Sequence, residues 1–331
     1  MNKIRTVLGD IDPEALGFTH CHEHIFIEWD KSAEINSALL LDDYKKTLKE
    51  LTLFREAGGR ALVDAQPVMA GRMAEWLLEA SQDANIHIIA STGFHKTCFY
   101  YEDSYLFYQT EQEIAELYIS EITQGMLTSR QGGMQRSNAR AGIIKTAVCS
   151  GGIFADKLYE KLHSAAAVAQ VETGVPVMCH MDAGADAEKV IRFYTDLGVS
   201  AQCVWIAHLD RVDNDIGHHK AVAAGGAFLE YDTIARPKYH SNMYECQLIM
   251  NMIAAGYENK LLLGLDSTRE RLESYGGKVG LPYLNAVFVP YLKSNGVTEN
   301  EILKLTCDNP KKALLIKNQI IINNKKEYEI E

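Results

Sequence analysis

VPVMCH at 175–180, CVWIAH at 203–208 and LLLGLD at 261–266 are built alike: a short apolar run that stops on a residue able to ligate a metal or move a proton. Within each run the apolar side chains follow one another without alternation, the pattern of a parallel strand buried on both faces. Gly174 stands just ahead of the first run as a helix stop, so helix passes directly into strand. His180 and His208 are 28 residues apart, and His208 and Asp266 are 58 apart, close to one and two strand–helix units.

The same reading gives further strands at 15–19, 61–64, 86–91, 142–148 and 227–231, with amphipathic stretches between them. Residues 42–57 set Tyr44, Leu48, Leu51 and Phe54 in one helical stripe. Similar stretches are 72–83, 112–125, 154–173, 185–196, 214–223, 241–255 and 284–294. Strands and helices in strict alternation predict an α/β protein with a (β/α)8 TIM barrel, as a single domain over 1–316 with a C-terminal tail at 317–331.

The chain has 331 residues, 47% of them hydrophobic and 23% charged, which is ordinary globular composition. Lys and Arg number 33 against 44 Asp and Glu, a net charge of −11, so nucleic acid is not an expected partner. The first 25 residues hold no signal-like apolar segment and no run of about 18 apolar residues occurs, so no membrane contact is expected. Seven cysteines without a CxxC pair predict neither a disulfide framework nor a cysteine zinc knuckle, and a cytoplasmic protein follows. A homodimer stays open.

The first strand ends in His22-Glu23-His24. Residues two apart share a strand face, so both imidazoles are expected inside the barrel, where two neutral rings suit a divalent transition metal. Alone, the motif reads equally as two surface histidines in a turn. His180, His208 and Asp266 at other strand ends argue against that, because such residues project at the mouth where barrel active sites are built. His20 is placed on the same face as His22 as a core or supporting group, Cys21 on the opposite face, and His218 and His219 on the solvated side of a helix. Asp210-Arg211 is placed to orient His208, to contact substrate or to form a loop ion pair. Lys145 lies inside AGIIKTAV, where a charge is costly unless paired. Two readings follow: an ion pair with a carboxylate such as Glu23, or a lysine of lowered pKa that takes up carbon dioxide as a carbamate.

GFTHCHEHIF (17–26), RAGIIKTAV (140–148), TGVPVMCHMDAG (173–184), CVWIAHLDR (203–211) and LLLGLD together resemble the phosphotriesterase family of the amidohydrolase superfamily, over about residues 8–316. The resemblance implies a dinuclear metal-dependent hydrolase. His22, His24 and Asp266 would hold the more buried ion, His180 and His208 the more exposed one, and Lys145, as N6-carboxylysine, would bridge them with a hydroxide. Zinc is the default, and manganese or cobalt also suit such ligands. The hydroxide would attack the substrate and Asp266 would accept its proton.

The loops bear on the substrate. DTIARPKYHSN (232–242) offers Arg236, Lys238 and Tyr239, and STRERLESYGGKVGLPY (267–283) offers Arg269, Arg271, Tyr275 and Lys278. Arg236, Lys238, Tyr239 and Lys278 are the expected contacts to an anionic small molecule. Arg269 and Arg271 read equally as surface partners of Glu270 and Glu273. A sugar lactone, with a phosphate for the basic loop, matches the lactonase branch that the sequence resembles. Phe94 stands where that branch often presents a tyrosine near the metals, with Tyr100 or Tyr101 as substitutes. An organophosphate triesterase, a carboxylesterase or amidohydrolase, and a degenerate barrel serving as a binding protein are the alternatives.

Overall fold

A computed structural model describes residues 2–128 and 135–317; the expected tail therefore lies, apart from Lys317, outside the described residues. Eight parallel strands follow one another around the barrel: β1 Thr19–Glu23, β2 Ala61–Asp64, β3 His87–Gly93, β4 Ala141–Val148, β5 Val177–Met181, β6 Val204–Ala207, β7 Phe228–Tyr231 and β8 Leu261–Leu263. The helices between them include α1 Tyr44–Glu56, α2 Ala74–Ala84, α3 Glu111–Thr123, α4 Lys157–Thr173, α5 Ala187–Asp196, α6 Ile216–Ala224 and α7 Asn242–Ala254. This is the expected TIM barrel.

Strand residues alternate between two apolar layers. Ile89, Ile143, Met178, Trp205, Phe228 and Leu262 fill the barrel, joined from below by Ile4, Leu16 and Leu314. Leu62, Ile88, Ile144, Val177, Ile206 and Leu229 belong to the layer under the helices. Polar groups therefore collect at the opposite, C-terminal end. No helix among the described residues is long and apolar enough to cross a membrane, and all seven cysteines are free.

The first strand differs from its expected form. Pro13–Ala15 make a turn capped by the Asp12 side chain, so β1 begins four residues late, at Thr19. It also bulges: His20 pairs with Leu62 but Glu23 with Asp64, so one residue is gained between them. A bulge breaks the two-residue alternation. His20 consequently turns outward, edge-on to Phe54 of α1 with ring centroids 4.5 Å apart, and its Nδ1 lies 2.7 Å from Glu23 Oε1. Cys21 packs inside with Val63 and Ile143. Both placements reverse the sequence expectation. His219 does so too, being fully buried with Nδ1 2.6 Å from the Tyr231 hydroxyl.

Two glycines let the barrel carry its polar end. The ring closes through the Asp266 N–H, which donates to the His22 carbonyl at 3.0 Å. A Cβ on Gly264 would stand 2.9 Å from His22 N and 3.0 Å from its O, so only glycine lets β8 leave the sheet along β1. Gly93 sits beside Lys145 in register, with φ +95°, and a Cβ there would meet the Lys145 carbonyl oxygen at 1.9 Å. Gly93→Ala combines overpacking with a left-handed backbone and is expected to destabilise the protein by about 2–4 kcal/mol. Urea denaturation measures this, and a loss under about 1 kcal/mol would contradict the close approach.

Candidate metal centre

Lys145 is the odd charge in this core. Its side chain is fully buried, and Nζ lies 3.2 Å from His22 Nε2 and 3.5 Å from Met178 Sδ. Among the described residues no carboxylate comes within ion-pair distance of it. Burial lowers its pKa, opposed by the more distant charges of Glu230, Asp266 and Asp232. Glu23, the partner considered from sequence, is occupied elsewhere: it accepts from the N–H groups of Leu265 and Ser267 and from the Ser267 hydroxyl. The ion-pair reading for Glu23 is therefore dropped.

The histidines converge on the same point. His22 Nε2 and His24 Nε2 stand 3.8 Å and 3.6 Å from Asp266 Oδ1, and the donor atoms of these three residues lie within 4.8 Å of one another. The His208 ring is 4.7 Å from that of His22 and 4.5 Å from that of His180, measured between centroids. All six residues expected from the sequence thus meet at one end of the barrel. His208 and Asp266 have φ values of +67° and +50°. Left-handed backbone costs a non-glycine residue about 1–2 kcal/mol, and such strain gathers at functional sites.

Does this set fit a divalent cation? Burial holds His24 and His180 down at a pKa of about 4, and His22 and His208 well below the ordinary histidine range, so the rings are neutral at pH 7. Carboxylates sit behind them. His22 Nδ1 is 3.0 Å from Glu230 Oε2, His208 Nδ1 2.6 Å from Asp232 Oδ2, and His180 Nε2 3.0 Å from Asp182 Oδ1. A carboxylate on one ring nitrogen fixes the tautomer and leaves the other nitrogen's lone pair for a metal. His24 Nδ1, His208 Nδ1, Glu230 Oε1 and both Asp232 oxygens are buried without a hydrogen-bond partner, so the close approach of His208 to Asp232 is a contact and not an aligned hydrogen bond. Neutral imidazoles, carboxylates and orphaned buried atoms are what an N/O-ligated divalent ion requires. The set fits.

Asp266 stands between this cluster and two arginines. Arg211 Nη1 and Arg236 Nη1 reach its Oδ2 at 2.7 and 2.6 Å, and Arg236 Nη2 reaches its backbone oxygen at 2.6 Å. Burial raises the Asp266 pKa, but the Arg236 and Arg211 guanidiniums outweigh it and hold the carboxyl well below the usual range. Lys238 and Arg211 both lie over the Tyr239 ring, at 4.7 and 5.1 Å from its centroid. Lys278 is exposed. Tyr100 is buried, its hydroxyl accepting from the His95 N–H at 2.9 Å. Arg269 approaches Asp42, and Arg271 is buried against the Ile234 carbonyl, so neither pairs with Glu270 or Glu273.

Sequence reasoning passed over four residues here. Glu230 is a charge within an apolar strand, FLEY, and the argument applied to Lys145 would have found it. Asp232 closely follows the same strand. His95 follows β3 and sets its ring 5.0 Å from that of His180, while Phe94 packs into the core against His163. Asp182 follows His180 by two.

A model of the phosphotriesterase family matches residues 2–314. The chain belongs to the phosphotriesterase family. That makes it a metal-dependent hydrolase. It is 32% identical over 322 residues to a phospho-furanose lactonase of Mycoplasmopsis synoviae, covering 94% of this chain and 91% of that protein. Among solved structures it resembles an amidohydrolase from Mycoplasma synoviae, with TM-score 0.89 and 30% identity over 96% of this chain and 93% of the other. It also resembles a lactonase from Listeria monocytogenes, with TM-score 0.85 and 27% identity over 95% and 99%.

The depressed histidines make a pH prediction for the metal-free phosphotriesterase-family fold. His24 and His180 bind protons less readily folded, at about 4, than unfolded, at about 6.5. The unfolded chain then binds more protons between those values, and stability falls as pH drops through the window. Between pH 7 and 5 each ring is expected to cost up to about 2 kcal/mol. Denaturation of chelator-treated protein at both pH values checks this; equal midpoints would show the rings are not buried neutral.

Proposed function

We propose that this protein is a lactonase that opens sugar lactones bearing a phosphate, with residues 1–316 acting as one catalytic unit. The observation that carries the reading is the convergence of His22, His24, Lys145, His180, His208 and Asp266 beside a loop rich in cations. The lactonase names of two relatives support the substrate class.

His22, His24 and Asp266 would hold one divalent cation and His180 and His208 a second, with Lys145 as N6-carboxylysine reaching both. Zinc is the first candidate. Bound there, such ions would supply Lewis-acid activation of the ester carbonyl and would lower the pKa of water so that it can attack near neutral pH. The protein's own contribution starts with Asp266. Arg211 and Arg236 take its Oδ2, which leaves Oδ1 turned toward His22 and His24. Asp266 takes the proton of the attacking water and, being held acidic by the two arginines, passes it to the departing ring oxygen rather than keeping it. Tyr100 acts through the backbone of His95, which brings that ring against His180.

Lys238 and Tyr239 form the phosphate contact, with Arg236 beside them and Lys278 at the rim. Lys238 has no carboxylate within ion-pair distance among the described residues, so its ammonium remains free for an anion. Seven free cysteines suit the reducing cytoplasm.

Two experiments test this. Lys145→Ala is expected to lose metal and activity together, and added short carboxylic acids to restore part of both by standing in for the carbamate; full activity without rescue would remove the bridging role. A panel of lactones with and without phosphate, alongside amides and phosphotriesters, identifies the substrate. A charged hydrogen bond contributes roughly 1.5–3 kcal/mol, so Lys238→Ala should lower kcat/KM on the phosphorylated lactone about ten- to a hundredfold and spare the unphosphorylated one. Equal losses on both would assign Lys238 to the fold.

A further inference from the structure

Behind Asp232, away from the histidine cluster, three more ligand-type side chains meet. Asp210 follows β6, His240 lies in the loop after β7, and Glu245 occupies the first turn of α7. Their ligand atoms all lie within 4.8 Å of one another. Asp210 and Glu245 are fully buried, and His240 is largely so.

Each of the three is held from behind and left open in front. Asp210 Oδ2 accepts the N–H groups of Asp232 at 2.9 Å and Thr233 at 2.6 Å, while Oδ1 has no hydrogen-bond partner. His240 Nδ1 lies 3.2 Å from the Ser241 carbonyl, and that contact requires Nδ1 to carry the proton. Nε2 faces the carboxylate, 3.2 Å from Glu245 Oε2, and has no aligned hydrogen-bond partner. Both Glu245 oxygens are buried without a donor partner, and its carboxyl lies in hydrogen-bond contact with that of Asp210. Two carboxyl groups in contact beside an imidazole are repulsive unless a proton or a cation lies between them, and a cation suits all three donors at once. Backbone groups that orient each ligand from its far side are the arrangement that surrounds protein-bound metals.

We propose that Asp210, His240 and Glu245 form a separate site for a divalent transition cation of the zinc type. One imidazole and two carboxylates are a borderline N/O donor set, and partly exposed His240 gives the ion a way in. The ion would tie together the end of β6, the loop carrying Arg236, Lys238 and Tyr239, and α7. Its role is structural: it fixes the basic loop over the barrel mouth. The site does not depend on the lactonase reading.

Anomalous diffraction from crystals of the full chain equilibrated with millimolar zinc tests this directly. A peak about 2.0–2.2 Å from His240 Nε2 and from an oxygen of each carboxylate is expected. Absence of density between the three side chains overturns the proposal and leaves a proton shared by Asp210 and Glu245 as the explanation. In solution, elemental analysis of desalted protein should find one zinc fewer per chain in His240→Ala than in the unsubstituted protein, and equal counts would also overturn it. His240 lies on a surface loop. Should that variant nonetheless fail to fold, the diffraction result decides alone.

Discussion

A lysine ammonium buried among imidazoles, with no carboxylate within ion-pair distance among the described residues, is the constraint around which the upper barrel is organised. Water would solvate that charge far better than the core does, and the penalty persists until the group is neutralised or paired. β4 cannot relieve it by rotating, because its register with β3 brings Gly93 against the Lys145 backbone. The neighbours that come closest, His22 and Met178, are a neutral ring and a thioether. Neither compensates a cation. The fold thus holds a nitrogen that gains by losing its proton, at the place where four histidines and an aspartate converge.

The same economy of placement shows in Asp266. Its carboxylate is shared, with arginines on one oxygen and histidines on the other, and its φ of +50° turns it into the mouth. Gly264 makes that position reachable, since any side chain there would collide with the His22 backbone. Closure of the barrel and delivery of Asp266 are therefore one structural event. The backbone bond from Asp266 to His22 joins the last strand to the first.

Much of this was legible in sequence because buried parallel strands leave little choice. An apolar run that stops on His or Asp has one place to put that residue, and His180, His208 and Asp266 all lie there. Lys145 was legible for the converse reason, as a charge where none belongs. The phase of β1 was not. His20 and Cys21 exchanged faces because a bulge adds one residue between His20 and Glu23, and bulges have no composition of their own. Arg236 looked free because its partner Asp266 lies 30 residues further on, and only the folded barrel brings the two together. His219 looked solvated for a similar reason, its partner Tyr231 belonging to the next strand.

Charge in the centre explains why lysine modification and cation binding belong together in the proposed state. Lys145, Arg211 and Arg236 stand among the buried acids Glu230, Asp232, Asp266 and Asp210. Burial pushes the Glu230 and Asp232 pKa values well up, each raised further by neighbouring acids, so this balance is uneasy before any ligand arrives. Conversion of the Lys145 ammonium to a carbamate changes its charge by two, from positive to negative. The centre then has an excess of anions that divalent cations relieve, while bound cations in turn oppose loss of the carbamate. Linkage makes the two effects equal and reciprocal. In the proposed state carbon dioxide uptake would strengthen cation binding by the same factor as cations would strengthen uptake.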